Sequence, residues 1–214
     1  MKKFLTALAA ACLLSSTALA AADITLPAPN LKAKLTVMDA LNQRKSDRTF
    51  IEKDLTPAQM SKILWAANGI NRSDGKRVNP AGKGVYCVEV YAVTREGIYL
   101  YDPAKHKLNL VAAGDYRLIA ANGKEKPAKA AVNLVYVETP AAWSSLEKVP
   151  ARDKQIFYAD IMVGTMIQSV ALAAETEGLG GYVRGGVQRE EFKKVAKLSD
   201  DKNIILAQSI GFIK

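Results

Sequence analysis

The spacing of apolar residues changes period several times along this chain, and each change marks an element. Thr36 precedes Met38 and Leu41 at i, i+3 spacing, and Asp39 completes a capping box with it, which predicts a short helix to Gln43. A second helix is better marked: Thr56 caps, Pro57 fits the first turn, Gln59 closes the capping box, and Met60, Ile63, Leu64 and Ala67 form one apolar face before Gly69 stops it. The period then drops to two. Val85 to Thr94 reads as a buried strand, and Gly97–Tyr101 with His106–Val111 as a hairpin around Asp102-Pro103. Asp115–Ala121 is a short helix, Lys124–Lys129 a basic loop and Ala130–Glu138 another strand. Lys154–Glu177 carries apolar residues on more than one stripe, so it is expected to be buried on all sides, with a second subunit as part of the cover. The glycine-rich run Gly178–Val187 ends that helix and leads to an amphipathic helix through Phe192, Val195 and Leu198, then to a closing strand over 203–213. Helices and hairpin-linked strands without regular alternation make the fold class α+β, and no dinucleotide fingerprint follows a first strand.

The two ends change this picture. Met1–Ala20 has Lys2-Lys3, an apolar run from Phe4 to Leu14 and the small-residue site Ala18-Leu19-Ala20, the layout of a secretory signal peptide of the general export type. Ala9-Ala10-Ala11-Cys12 only loosely imitates a lipoprotein site. No later stretch reaches the ~20 apolar residues of a spanning helix, so the expected product is an exported, periplasmic protein without an integral membrane segment. Its organisation is read as signal peptide 1–20, an arm and first helix over 21–43, and one domain over 44–214 that includes the preceding helix. The arm, with Pro27 and Pro29 and no periodicity, is of the kind that often reaches across a partner.

Charge narrows the partners. The sequence holds 30 basic and 21 acidic residues, and removal of Lys2 and Lys3 leaves +7, a bias toward anionic ligands. Nucleic acid fits poorly, because there is no zinc spacing, aromatic stripe or recognised motif. With Cys12 gone, Cys87 is alone inside an apolar run, so it reads as a packed small side chain and no internal disulfide is available. The single histidine, His106, has no clustered carboxylate or cysteine beside it, hence no metal site or triad is assigned, and the catalytic residues are unknown.

The candidate chemistry lies in Arg44-Lys45-Ser46-Asp47-Arg48-Thr49-Phe50. Three cations and a hydroxyl leave a helix within five residues, on side chains that can surround one anion, and the arginine fork with the lysine point charge suits a phosphate monoester. A solvated basic turn is the plain alternative. Downstream, Asn79-Pro80-Ala81-Gly82-Lys83-Gly84 offers small residues whose backbone a flat ligand can approach, although a helix-to-strand loop has the same composition.

These pieces, with Leu64-Trp65-Ala66-Ala67, Arg77–Tyr86, Glu89-Val90-Tyr91, Gly97–Pro103, Leu172-Ala173-Ala174-Glu175 and Ile210-Gly211-Phe212, resemble in order and spacing the nitroreductase-like flavoprotein family, nearest its SagB-type dehydrogenase branch. The resemblance covers nearly all of the chain after the export signal. It implies a helix-flanked, mainly antiparallel sheet, an intertwined homodimer, and FMN at the subunit interface. It further implies that Arg44, Lys45, Ser46 and Arg48 hold the phosphate, ribityl chain and pyrimidine edge, that Pro80, Ala81 and Gly82 lie along the isoalloxazine, and that the backbone at Gly185 and Gly186 reaches the N5 region from the other subunit. The implied activity is two-electron reduction of small acceptors such as nitro-aromatics or quinones, with NAD(P)H as a possible donor. Three departures, Ala81 where many members have serine, a chain that stops at Lys214 without a basic C-terminal segment, and an export signal unusual for an enzyme expected to draw on cytoplasmic NAD(P)H, support an alternative: an exported flavin-binding or scavenging protein without turnover. A peptide-modifying dehydrogenase of the SagB type is a third reading.

Overall fold

The computed structural model describes residues 21–214, so the signal-peptide expectation lies outside the described residues. Its centre is a seven-stranded antiparallel sheet in the order β1-β4-β3-β2-β5-β7-β6. The strands are β1 (Ile24–Thr25), β2 (Val88–Val93), β3 (Gly97–Asp102), β4 (Lys107–Ala113), β5 (Val132–Glu138), β6 (Gly180–Arg184) and β7 (Asn203–Gly211). The helices are α1 (Val37–Gln43), α2 (Pro57–Asn68), the one-turn α3 (Arg117–Ala120) and α4 (Glu125–Ala128), α5 (Arg152–Thr176) and α6 (Arg189–Ala196).

Two apolar layers hold the sheet, and the strands feed them alternately. Val88, Val90 and Ala92 of β2, with Leu134 and Tyr136 of β5, face α2 and α5. Tyr91, Val93, Val135 and Val137 face α3 and α6 instead. Strand alternation thus specifies the register, because a one-residue slip would exchange the two layers. Both predicted capping boxes form: Thr36 Oγ1 accepts from Asp39 N and Thr56 Oγ1 from Gln59 N, while each partner side chain accepts from the cap's own N–H.

The structure departs from the sequence pattern at several points. Gly180–Arg184 is an edge strand and not a linker, and its glycines are there because two segments come very close: a Cβ on Gly180 would lie 2.7 Å from Asp47 Oδ2, and one on Gly181 would lie 2.5 Å from Ser209 O. Glu125–Ala128 forms a helical turn inside the expected basic loop. The arm lies on its own chain, where Ile24 and Thr25 pair with Leu108 and Lys107 and Leu26 is buried. Finally, α5 is buried on one face only. Ala159, Met162, Val163, Met166, Val170 and Ala174 enter the core, whereas Phe157 and Ile161 are 53% and 51% exposed. By length and composition α5 would also suffice to cross a membrane, contrary to expectation, although its inner stripe is a core surface.

His106 fastens the arm. Its Nε2 donates to Pro27 O (3.0 Å), beside Ser61 Oγ (2.8 Å), and the Tyr101 hydroxyl donates to Nδ1 (2.8 Å), the arrangement of a neutral ring. Burial, opposed in part by the Pro27 bond, holds the imidazole below its ordinary 6.5. A folded value below the unfolded one gives stability that is complete above about 6.5 and is lost as pH falls through the folded value. The melting temperature of the wild type should therefore fall more between pH 7 and 5.5 than that of His106→Gln. Parallel curves in calorimetry would contradict this assignment.

Candidate functional site

The first half of the candidate site is the strand-like segment that follows α1. The Arg44 N–H donates to Ala40 O (2.9 Å), closing the helix, after which Ser46 forms a parallel bridge to Gly181 and Asp47 N donates to Gly181 O (3.1 Å). The chain then runs along the end of the sheet, with Phe50 bridged to Ile213 and stacked 6.3 Å from Tyr182. This attachment to the β6 edge turns the segment's cations outward. Lys45, Ser46 and Arg48 are exposed and Arg44 is half-buried. Arg48 lies over the Tyr182 ring at 5.4 Å and its Nη1 donates to Ser46 O (3.3 Å). Among the described residues neither arginine has an ion-pair partner, and Lys45 has only Asp47 at 3.8 Å. Glu175, at the end of α5, stands beside them. Its carboxyl is raised by burial and by Asp47, against the pull of Arg44 and Lys45.

The proline loop is fixed by a residue the sequence reading passed over. Asn79 is buried, and its Nδ2 donates to Ala66 O (2.7 Å) and Ala67 O (2.9 Å), two of the carbonyls that a helix end leaves without partners. Its Oδ1 accepts from Ser169 Oγ of α5 at 2.6 Å. Pro80, Ala81 and Gly82 leave this anchor along α5, where Gly82 lies so close to Tyr158 that a Cβ would be 2.8 Å from Cγ. Lys83 and Gly84 then take left-handed conformations (φ 56° and 74°) to enter the next strand.

Gly185 and Gly186 follow β6 directly, so they share its edge with Ser46 and the cations, four to five residues beyond Gly181, or about 15 Å along the strand. Two further arginines hold them. Arg189 Nη1 donates to Gly185 O at 3.2 Å and Arg184 Nη1 donates to Gly186 O. Strand alternation gave no sign of Arg184's role, because its acceptors come from segments remote in sequence.

The structure does not bring all predicted residues together in one chain. Gly82 meets α5 at Tyr158 and the cation segment meets it near Glu175, about 25 Å apart at ~1.5 Å per residue. In one chain the cations therefore meet α5 at one end and Gly82 toward the other, while the glycine pair lies beyond β6, beside Leu206 and Ile205 of β7. The larger clefts lie elsewhere: one of about 520 Å³ at Glu52, Asp115 and Arg117, and one of about 410 Å³ between Arg77, Tyr86, Tyr101 and Asp102. No cluster of three metal-ligating side chains occurs among the described residues. Cys87 is buried, and its thiol is pushed up to about 11 by burial and the nearby Glu138 carboxylate, so it is a packing residue.

The model that describes the nitroreductase family matches residues 41–212. A protein of Methanocaldococcus jannaschii, provisionally named a nitroreductase, is 26% identical over 168 residues, which is 76% of this chain and 84% of the relative. A crystal structure from Ralstonia eutropha with the same provisional name is 30% identical, superposes with a TM-score of 0.80, and covers 92% of this chain and 91% of that one. The NADPH:FMN oxidoreductase of Vibrio harveyi, solved with NAD+, shares the fold at 17% identity and a TM-score of 0.59, over 83% of this chain and 69% of that one.

Asn79→Ala should destabilise the chain by ~1–3 kcal/mol, the range for leaving buried partners without hydrogen bonds. It should also speed tryptic cleavage at Lys83. Urea unfolding and timed proteolysis check both, and an unchanged cleavage rate would show that Asn79 does not fix the loop.

Proposed function

This chain belongs to the nitroreductase family of oxidoreductases, and from that premise we propose an exported, homodimeric, FMN-dependent enzyme that reduces small acceptors such as nitro-aromatics or quinones, with reduced nicotinamide as a competent donor. The observation that carries the reading is the run of cations beside the start of the β6 edge, Arg44, Lys45 and Arg48, joined to it by the Ser46–Gly181 bridge. Two arginines without an ion-pair partner among the described residues, with a lysine held only loosely by Asp47, suit a ligand that bears a phosphate. When bound, FMN supplies the two-electron chemistry.

The chain's own residues then have separate tasks. Arg44, Lys45 and Ser46 take the phosphate and ribityl groups, and Arg48, steadied on Tyr182, favours negative charge at the pyrimidine edge. Pro80, Ala81 and Gly82 cover a ring face. The loop starts from Asn79 beside Ser169 and runs away from the cations, until Gly82 at Tyr158 is about 25 Å along α5 from Glu175; in this reading its far end serves the site of a second copy. The exposed outer face of α5, with Phe157 and Ile161, is the surface on which that copy packs. Each site is therefore shared. No side chain is assigned as acid or base, and the proton comes from solvent. The first twenty residues support export to the periplasm, as their charge and apolar run are those of a signal peptide.

The test is an absorbance spectrum of the mature protein with added FMN, followed by anaerobic addition of NADPH or NADH and then of a quinone. Bound flavin that bleaches and recovers its colour is expected. Bleaching by dithionite alone would replace the enzyme with a carrier, and failure to bind FMN would remove the proposal. In Arg44→Glu/Arg48→Glu the dissociation constant for FMN should rise at least about tenfold, equivalent to ~1.4 kcal/mol, with little change in apo-protein melting.

A further inference from the structure

We infer that Arg184 and Arg189 are positioning residues that turn the backbone N–H donors of the Gly185–Gly186 turn outward to the flavin and surround that turn with positive charge. The inference rests on the FMN reading above, and it concerns how this chain builds the ring end of the site.

Arg184 points inward from β6 and gives all its bonds to neutral acceptors. Nη1 donates to Ala120 O and Gly186 O, Nη2 to Asn133 Oδ1 (2.6 Å) and Nε to Ser209 Oγ (3.3 Å). Ser209 Oγ also donates to Asn133 Oδ1 (2.6 Å), so the network is closed on itself. Among the described residues no carboxylate pairs with this guanidinium, and burial lowers its pKa only to about 10, which leaves it charged at neutral pH. Arg189 likewise gives its bonds to carbonyls: Nη1 donates to Gly185 O and Nη2 to Ile205 O, each at 3.2 Å. Two half-buried cations thus spend their hydrogen bonds on neutral acceptors, and a partly desolvated charge without a counter-ion is costly.

The geometry of the peptide unit says what is gained. The chain has no cis peptide among the described residues, and in a trans unit the C=O of one residue and the N–H of the next point in opposite directions. With the carbonyls of Gly185 and Gly186 drawn to the arginines, the N–H groups of Gly186 and Val187 face away from them. Neither N–H has an acceptor among the described residues. Nothing within the chain requires glycine at 185, since a Cβ there would meet only Leu206 Cδ2 at 4.0 Å and the residue is not left-handed. The missing side chain instead keeps clear the space in front of the donors. Outward donors, clear space and unneutralised positive charge together fit a flat ligand with acceptor atoms along its edge, one that gains negative charge on reduction.

The experiment compares wild type with Arg189→Gln, Arg189→Lys and Arg184→Lys, measuring FMN affinity, the midpoint potential of the bound flavin, and apo-protein melting. Arg189→Gln should bind FMN about tenfold more weakly and shift the potential to more negative values, with melting near that of wild type. Arg189→Lys should restore the potential more than the affinity, because it keeps the charge and loses the fork. Arg184→Lys should lower affinity most, and if it fails to fold the Arg189 pair still decides. Added FMN should also slow amide exchange at Gly186 in wild type. Unchanged affinity and potential in both Arg189 variants, with wild type still binding FMN, would overturn this inference alone. No FMN uptake by wild type would overturn it together with the proposed function.

Discussion

One face of α5 is committed to the core, and most of what this molecule can do follows from that commitment. Met162, Val163, Met166 and Val170 are held between the sheet and α2, which fixes the helix as a straight spacer across the protein. The cation segment meets one end of it and the proline loop runs toward the other. No side chain is long enough to join ligand-binding groups across ~25 Å. In the proposed function a single copy presents two half-sites, and we propose the apolar outer face of the same helix as the place for the second copy that completes both. Core packing and proposed assembly are two sides of one element.

Around the β6 edge the governing constraint is electrostatic. Arg48 is exposed and costs little because water solvates it, whereas Arg184 is half-buried and is satisfied from within the chain. It is satisfied by backbone carbonyls, an amide and a hydroxyl, never by a carboxylate. Carbonyl acceptors preserve the charge as a field at the glycine turn, where an aspartate would have cancelled it. Two other buried charges are paired: Arg152 meets the fully buried Glu138, and Lys62 meets Glu177. The contrast sets Arg184 apart from an ordinary structural ion pair.

Much of this could be read from the sequence, and the reasons are local. Thr36 with Asp39 and Thr56 with Gln59 announced their helices because a capping box needs only residues three apart. The strands β2 to β5 were visible as alternation, since each feeds two apolar layers. The Arg44–Arg48 run was legible as a cluster of cations because its charges are contiguous. What escaped was non-local. Gly180 and Gly181 resembled a turn, and only the approach of Asp47 and Ser209 explains them as strand residues. The roles of Asn79, Arg184 and Arg189 depend on carbonyls brought close by the fold. For α5, composition suggested burial on every side with a second subunit as part of the cover, and the single chain covers one of its faces.

The central claim is that each site takes its cations from one copy and its proline loop from another. Mixing an Arg44→Glu/Arg48→Glu chain with an Ala81→Glu chain, after dissociation and reassociation, tests it directly. Each parent should bind FMN weakly by itself, while a mixed dimer gathers both defects into one site and leaves the other intact. Recovery of tight FMN binding on mixing is the predicted result; binding no better than that of the separate parents would mean that one copy builds the whole site.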